Sequence, residues 1–186
     1  MDTIVEAARE MQLSDAAHRV LDALKPERAP RDAVQALLDA NLAEDALALL
    51  ARLLPRRYAV AWLCQCARAE ALDETDRAGV ALAEQWVREP DDARRRDALA
   101  FARAQRFGNA GAWAAAAAGW SGGDLAPPGS DTPAPPAGFM TARAAALAIT
   151  YLAARVTTQF AERRAGFVRG ALGLLGTPGA MDGERT

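Results

Sequence analysis

The chain has 186 residues, of which 51% are hydrophobic and 25% charged, and its formal net charge is −2. Ala makes up about a quarter of it while strand-favouring runs of Val, Ile, Thr and aromatics are nearly absent, so the composition predicts packed helices. The weak negative balance excludes the broad basic footprint of a nucleic-acid binder.

In chain order, Ser14 stands where an N-cap is expected, before Ala16-Ala17-His18-Arg19-Val20-Leu21, and Pro26 ends that helix or follows its end. Pro30 sits at a first-turn position, with Asp32 beside it and Val34, Leu37 and Leu38 after it. Asn41-Leu42 reads as a turn. The next helix carries Ala46, Leu47, Leu49, Leu50, Leu53 and Leu54 on a wide stripe, leaving Glu44, Asp45 and Arg52 on the wet side. Pro55 opens another, whose stretch Tyr58-Ala59-Val60-Ala61-Trp62-Leu63-Cys64 is apolar on every face. That pattern predicts the central helix, surrounded by others.

Residues 73–88 form an amphipathic helix with Val80, Ala83 and Val87 inward, Leu82 and Trp86 adjoining, and a Glu84–Arg88 pair outside. Glu89-Pro90-Asp91-Asp92 breaks and restarts the chain. The new helix is expected to reach Phe107 and to exit at Gly108-Asn109. Residues 110–120 are tightly apolar and helical by propensity. Thr141 is expected to cap a final helical segment in which Ala145, Ile149, Leu152, Val156 and Phe160 repeat as a core stripe. That segment continues or kinks through Glu162-Arg163-Arg164 to Phe167 and Leu174. Gly166 and Gly170 are spaced for a close packing contact, and residues 177–186 read as a frayed tail. The prediction is an all-α, single-domain irregular bundle of about eight or nine helices over residues 1–176, built from antiparallel pairs. A short α-solenoid is the alternative, disfavoured because no fixed-period self-similarity is present.

Chemistry-bearing motifs are few. No glycine-rich phosphate motif occurs, His18 is the only histidine, and zinc fails on ligand count. The adjacent cysteines Cys64 and Cys66 point to different sides of a helix and read as buried thiols. The acidic pairs Glu44-Asp45, Asp73-Glu74 and Asp91-Asp92 fall at helix starts, where the helix dipole accounts for them. No catalytic residue, metal or cofactor is therefore expected. The N-terminus has no apolar signal region and the longest apolar stretches fall far short of the roughly 20 residues that span a bilayer. A cytoplasmic protein without membrane insertion is the expectation.

The most distinctive segment is residues 121–138, a Pro/Gly-rich loop that cannot be regular helix or inner strand. Trp113 and Trp120 precede it seven residues apart and share a helix face; either both are core or Trp120 pins the loop. The candidate partner-binding residues are Trp120, Ser121, Gly122, Gly123, Asp124, Pro127 and Pro128, joined by Arg94 and Arg95. Arg94-Arg95-Arg96 reads otherwise as a salt-bridged helix turn between Asp92 and Asp97. Ser121 or Asp124 can bond nearby amides, and the prolines pre-organise an extended segment so that less entropy is lost on binding.

Three separated blocks carry a resemblance. They are Tyr58-Ala59-Val60-Ala61-Trp62-Leu63-Cys64-Gln65-Cys66-Ala67; Ala83-Glu84-Gln85-Trp86-Val87 with Pro90 and Arg94-Arg95; and Trp120-Ser121-Gly122-Gly123 with Pro127-Pro128. Over roughly residues 13–175 the chain resembles an uncharacterised all-helical bacterial family whose members are often encoded near type VI secretion genes. The resemblance implies a secretion-related setting and no catalytic residue. The expected function is a non-enzymatic adaptor that binds another protein. The alternatives are a helical-repeat scaffold with a peptide groove, or an enzyme with a carboxylate pair in a deep pocket.

Overall fold

A side chain or a proline marks the start of most helices in this chain. Ser14, Asp73, Asp91 and Asn109 each accept a hydrogen bond from the backbone amide three residues on, closing a free donor of the helix they precede. Pro30 occupies the first turn of its helix, where a missing N–H costs nothing. The structure is a computed structural model that describes residues 3–25, 27–126 and 131–176. Pro26 and the expected tail at 177–186 lie outside the described residues.

Among the described residues ten α-helices follow one another, with short connections except between α8 and α9: α1 (Thr3–Met11), α2 (Asp15–Asp22), α3 (Pro30–Asp39), α4 (Ala43–Leu53), α5 (Arg56–Arg68), α6 (Glu74–Arg88), α7 (Asp92–Ala104), α8 (Ala110–Gly119), α9 (Met140–Ala154) and α10 (Phe160–Ala171). Two 3-10 turns, Thr157–Gln159 and Leu172–Gly176, flank α10. There is no strand among the described residues. Distant segments close the arrangement: α4 packs on α1, α9 and α10, and the final 3-10 turn returns to α3. That closure makes a bundle rather than an open superhelix.

The centre of the bundle differs from expectation. Every residue of α8 except Trp113 is buried, and α6, α7, α9 and α5 surround it. Helix α5, predicted as central from its apolar stretch, instead leaves Arg57, Gln65 and Arg68 exposed. Small side chains explain the exchange. A helix of Ala and Gly buries little area per residue but lets its neighbours approach to backbone contact, so it fits where helices converge. A Cβ on Gly79 of α6 would stand 2.7 Å from the Cα of Gly111 on α8, and one on Gly119 would stand 2.7 Å from the Cβ of Leu99 on α7. Gly166 and Gly170, the pair flagged by spacing, have open space beside them.

Three boundaries also move. Helix α7 stops at Ala104, three residues before the expected end, because Arg106 and Phe107 take left-handed φ values of 51° and 54°. Thr141 lies inside α9 rather than capping it; Phe139 precedes the helix and the buried Thr141 hydroxyl makes no hydrogen bond. The stripe from Ala145 through Ile149 and Leu152 is buried, but the helix ends at Ala154, leaving Val156 37% exposed and placing Phe160 at the start of α10.

Candidate functional site

The Pro/Gly-rich loop leaves the bundle at the end of α8 and returns to it at α9. Its start is bonded to the guanidinium of Arg56, the first residue of α5, and its end passes nearby. Arg56 Nη1 donates to the Ser121 carbonyl at 2.8 Å, and a Cβ on Gly138 would lie 3.7 Å from its Nη2. A cation in the first turn of a helix is opposed by the helix dipole. Ser121 offers a carbonyl partner there.

Above that base the neck is pinched. Asp124 Oδ1 accepts from the amides of Ala126 and Ala134, each at 2.8 Å, and the Leu125 amide donates to the Ala134 carbonyl at 2.9 Å. Those two amides hold the Asp124 carboxyl below its usual 3.8, with Arg95 adding a smaller pull. A loop whose ends are close and whose neck is hydrogen-bonded is an Ω-loop in form.

Arg95 supports the loop from below. It is only 4% exposed; its Nη1 donates to the Gly119 carbonyl at 3.0 Å and its Nε to Asp92 Oδ1 at 2.8 Å. Gly123 sits on this guanidinium with φ of 74°, and a Cβ there would come within 2.6 Å of Arg95 Nε. The arginine triplet therefore divides. Arg94 pairs with Asp91 and Glu89, Arg96 with Asp92 at 2.6 Å, and only Arg95 turns inward.

Trp120 is the C-cap of α8 and is half-buried. It stacks on Phe107 with ring centroids 5.4 Å apart and interplanar angle 17°, and lies 6.2 Å from Trp113. The left-handed backbone at Phe107 turns the chain so that this ring reaches both tryptophans. Of the residues singled out by sequence, the fold thus brings Trp120, Ser121, Gly123, Asp124 and Arg95 into one structure around the loop's base. Gly122 sits among them with open space beside it. Pro127 and Pro128 lie outside the described residues.

Arg56 was not legible as part of this site, although an arginine at a helix N-terminus was the available signal. Asp76 also escaped notice. It is 4% exposed, accepts from the Gly111 amide at 2.7 Å, and lies 3.4 Å from Arg155 Nη1. It caps α8 from a neighbouring helix and belongs to the bundle's centre.

An open cleft of about 370 Å³ lies between α5 and α6. Its lining includes two carboxylates, Glu70 and Glu84. Each is taken by an arginine: Glu70 by Arg163 at 2.5 Å and Glu84 by Arg68 at 2.6 Å. On α5, burial pushes the thiols of Cys64 and Cys66 each up to about 12 from 9.0. Thiols held protonated are poor nucleophiles and poor ligands. Among the described residues no group of three or more His, Cys, Asp or Glu gathers around one point. No helix there is long and apolar enough to cross a membrane.

Residues 33–175 match the model of DUF6931, a family of unknown function. The chain belongs to that family. The matched stretch contains all three sequence blocks, the loop, Arg56 and Arg95, while α1 and α2 precede it. Comparison with curated proteins and with solved structures gives no match. Membership of DUF6931 carries no activity with it, so function rests on the geometry.

Proposed function

We propose that this protein is a non-enzymatic adaptor of the cytosol that binds another protein through its 121–138 loop. The proposed setting is the type VI secretion context implied by the sequence resemblance. The observation that carries the reading is the pinched neck: Arg56 at the base, Asp124 across the strands of the loop, and a buried Arg95 beneath Gly123. Three polar side chains are committed to holding a segment whose outer residues 131–135 are all exposed. A loop ordered before binding loses less entropy when it docks, so its contacts count more fully toward affinity. The rival enzyme reading draws no comparable support, since the two acids in the α5–α6 cleft are each ion-paired with an arginine. An open superhelix would favour the peptide-groove reading, and the closing of the helices into a bundle counts against it.

The test is affinity purification of the tagged chain from its native cells, followed by mass spectrometry. A second chain, with residues 124–137 replaced by a Gly/Ser linker of equal length, is run beside it. Capture of a secretion component by the parent, lost in a variant that melts normally, supports the reading. Equal capture by both chains refutes the loop as the contact surface.

A further inference from the structure

We propose that residues 133–136 of this loop are a preformed polyproline II ligand, recognised by a partner protein through an aromatic-lined groove with a basic group at one end. The inference rests on the adaptor reading and specifies the chemistry of its partner.

The backbone of this segment has almost no freedom. Pro133, Pro135 and Pro136 each have φ locked near −65° by their rings. Thr132, Ala134 and Pro135 each precede a proline, whose Cδ bars them from the α region and leaves them in the extended basin. Pro133, Ala134, Pro135 and Pro136 are each confined by their own or their neighbour's ring, which favours the polyproline II basin, and the chain bends just before them at Asp131 and Thr132. Residues 133–137 accordingly lie outside any helix, strand or turn.

The segment is also fixed in place. Its midpoint is tied to Asp124 through the Ala134 amide and to Leu125 through the Ala134 carbonyl. Beyond it, Gly138 passes close to Arg56 before α9 begins. Pro133 and Pro135 are exposed and Pro136 is half-buried, so the segment is seated on one side and offered on the other.

Such a helix has no internal hydrogen bonds and presents flat pyrrolidine faces, which pack into grooves walled by Trp and Tyr rings. Charge then sets direction. Exposed Asp131 stands just before the segment, whereas the nearby Arg95 is buried and bonded to Gly119 and Asp92. The groove that fits carries its cation where Asp131 enters.

The test uses the full chain with p-benzoylphenylalanine at position 137, purified from native cells after illumination. It is compared with the double variant Pro133→Ala/Pro135→Ala and with Asp131→Lys, all checked by thermal melting. The parent is expected to cross-link to a partner at a site rich in Trp and Tyr. The double variant is expected to recover at least about tenfold less partner, since it loses both ring contacts and pre-organisation. Asp131→Lys keeps the prolines and is expected to lose recovery too. Undiminished recovery by both variants, a cross-link to a site without aromatic residues, or a cross-link to a second copy of this chain overturns the inference while leaving the adaptor reading intact. If the parent cross-links to nothing, the adaptor reading fails and takes the inference with it.

Discussion

Gly123 rests on the guanidinium of Arg95, so closely that a Cβ at that position would come within 2.6 Å of Nε. The arginine beneath is 4% exposed and bonded to the end of α8 and the start of α7. The loop therefore begins on a buried charge that two helices have already fixed. A side chain at residue 123 is disfavoured twice, by this contact and by its φ of 74°.

Gly123→Ala is accordingly expected to destabilise the protein by about 1–3 kcal/mol, through strain and displacement of Arg95. Gly122→Ala, with open space around the added methyl, should stay within about 0.5 kcal/mol. Urea unfolding of the two variants checks the contrast. Similar losses at both positions would show that the loop's conformation, and not the Arg95 contact, sets the cost.

The arginine triplet should separate in the same assay. Arg95→Ala removes a buried cation and strands the Gly119 carbonyl, leaving Asp92 to Arg96, for an expected loss of about 3 kcal/mol. Arg94→Ala breaks ion pairs that reach solvent, and the expected cost is below about 1 kcal/mol. Adjacent residues of identical type then differ because only one faces inward.

Glycines where helices cross should be far less tolerant than glycines on the surface. Gly111→Ala places a methyl 2.6 Å from the Asp76 Cα, and Gly79→Ala meets Gly111 in return. Each is expected to cost about 2 kcal/mol or more, since backbone must move on both helices. Gly166→Ala in α10 meets nothing and should stabilise by about 0.5–1 kcal/mol through helix propensity. Thermal melting of the three variants reads the sign directly.

The two thiols give a pH signature. Burial raises both from 9.0 to about 12, so folding favours their protonated form. Their contribution is complete below pH 9 and is lost as the pH rises through about 12, at about 1.4 kcal/mol per thiol for each pH unit inside that window. Iodoacetamide at pH 8 should leave the native chain unmodified and alkylate both cysteines in urea. Rapid native labelling would contradict their burial.

Sequence pattern exposed the elements whose cause is local. Ser14, Pro30 and Asp91 mark helix starts because caps and ring geometry act within one turn. The special character of residues 121–138 was visible for the same reason, in its prolines and glycines. Centrality was not visible, because Tyr58 to Cys64 and the Ala helix are both apolar and only tertiary packing decides which is enclosed. Nor could spacing reveal that Gly79 and Gly111 meet, since they lie on different helices. Asp124 was legible as an amide acceptor within its own loop, but its second amide, that of Ala134, lies ten residues on. Arg56, marked locally only as an arginine at a helix start, lies 65 residues from the carbonyl it holds, so no local pattern could name its partner.

The measurement that bears most directly on a held loop is amide hydrogen exchange at Leu125, Ala126 and Ala134, followed by NMR in the parent and in Asp124→Ala. The amides of Leu125 and Ala134 are bonded across the neck, and those of Ala126 and Ala134 both reach the Asp124 carboxylate. Slow exchange in the parent, accelerated at Ala126 and Ala134 when the carboxylate is removed, is the predicted result. Exchange at the rate of a free chain in the parent would contradict it, and the loop would then be an untethered connection between α8 and α9.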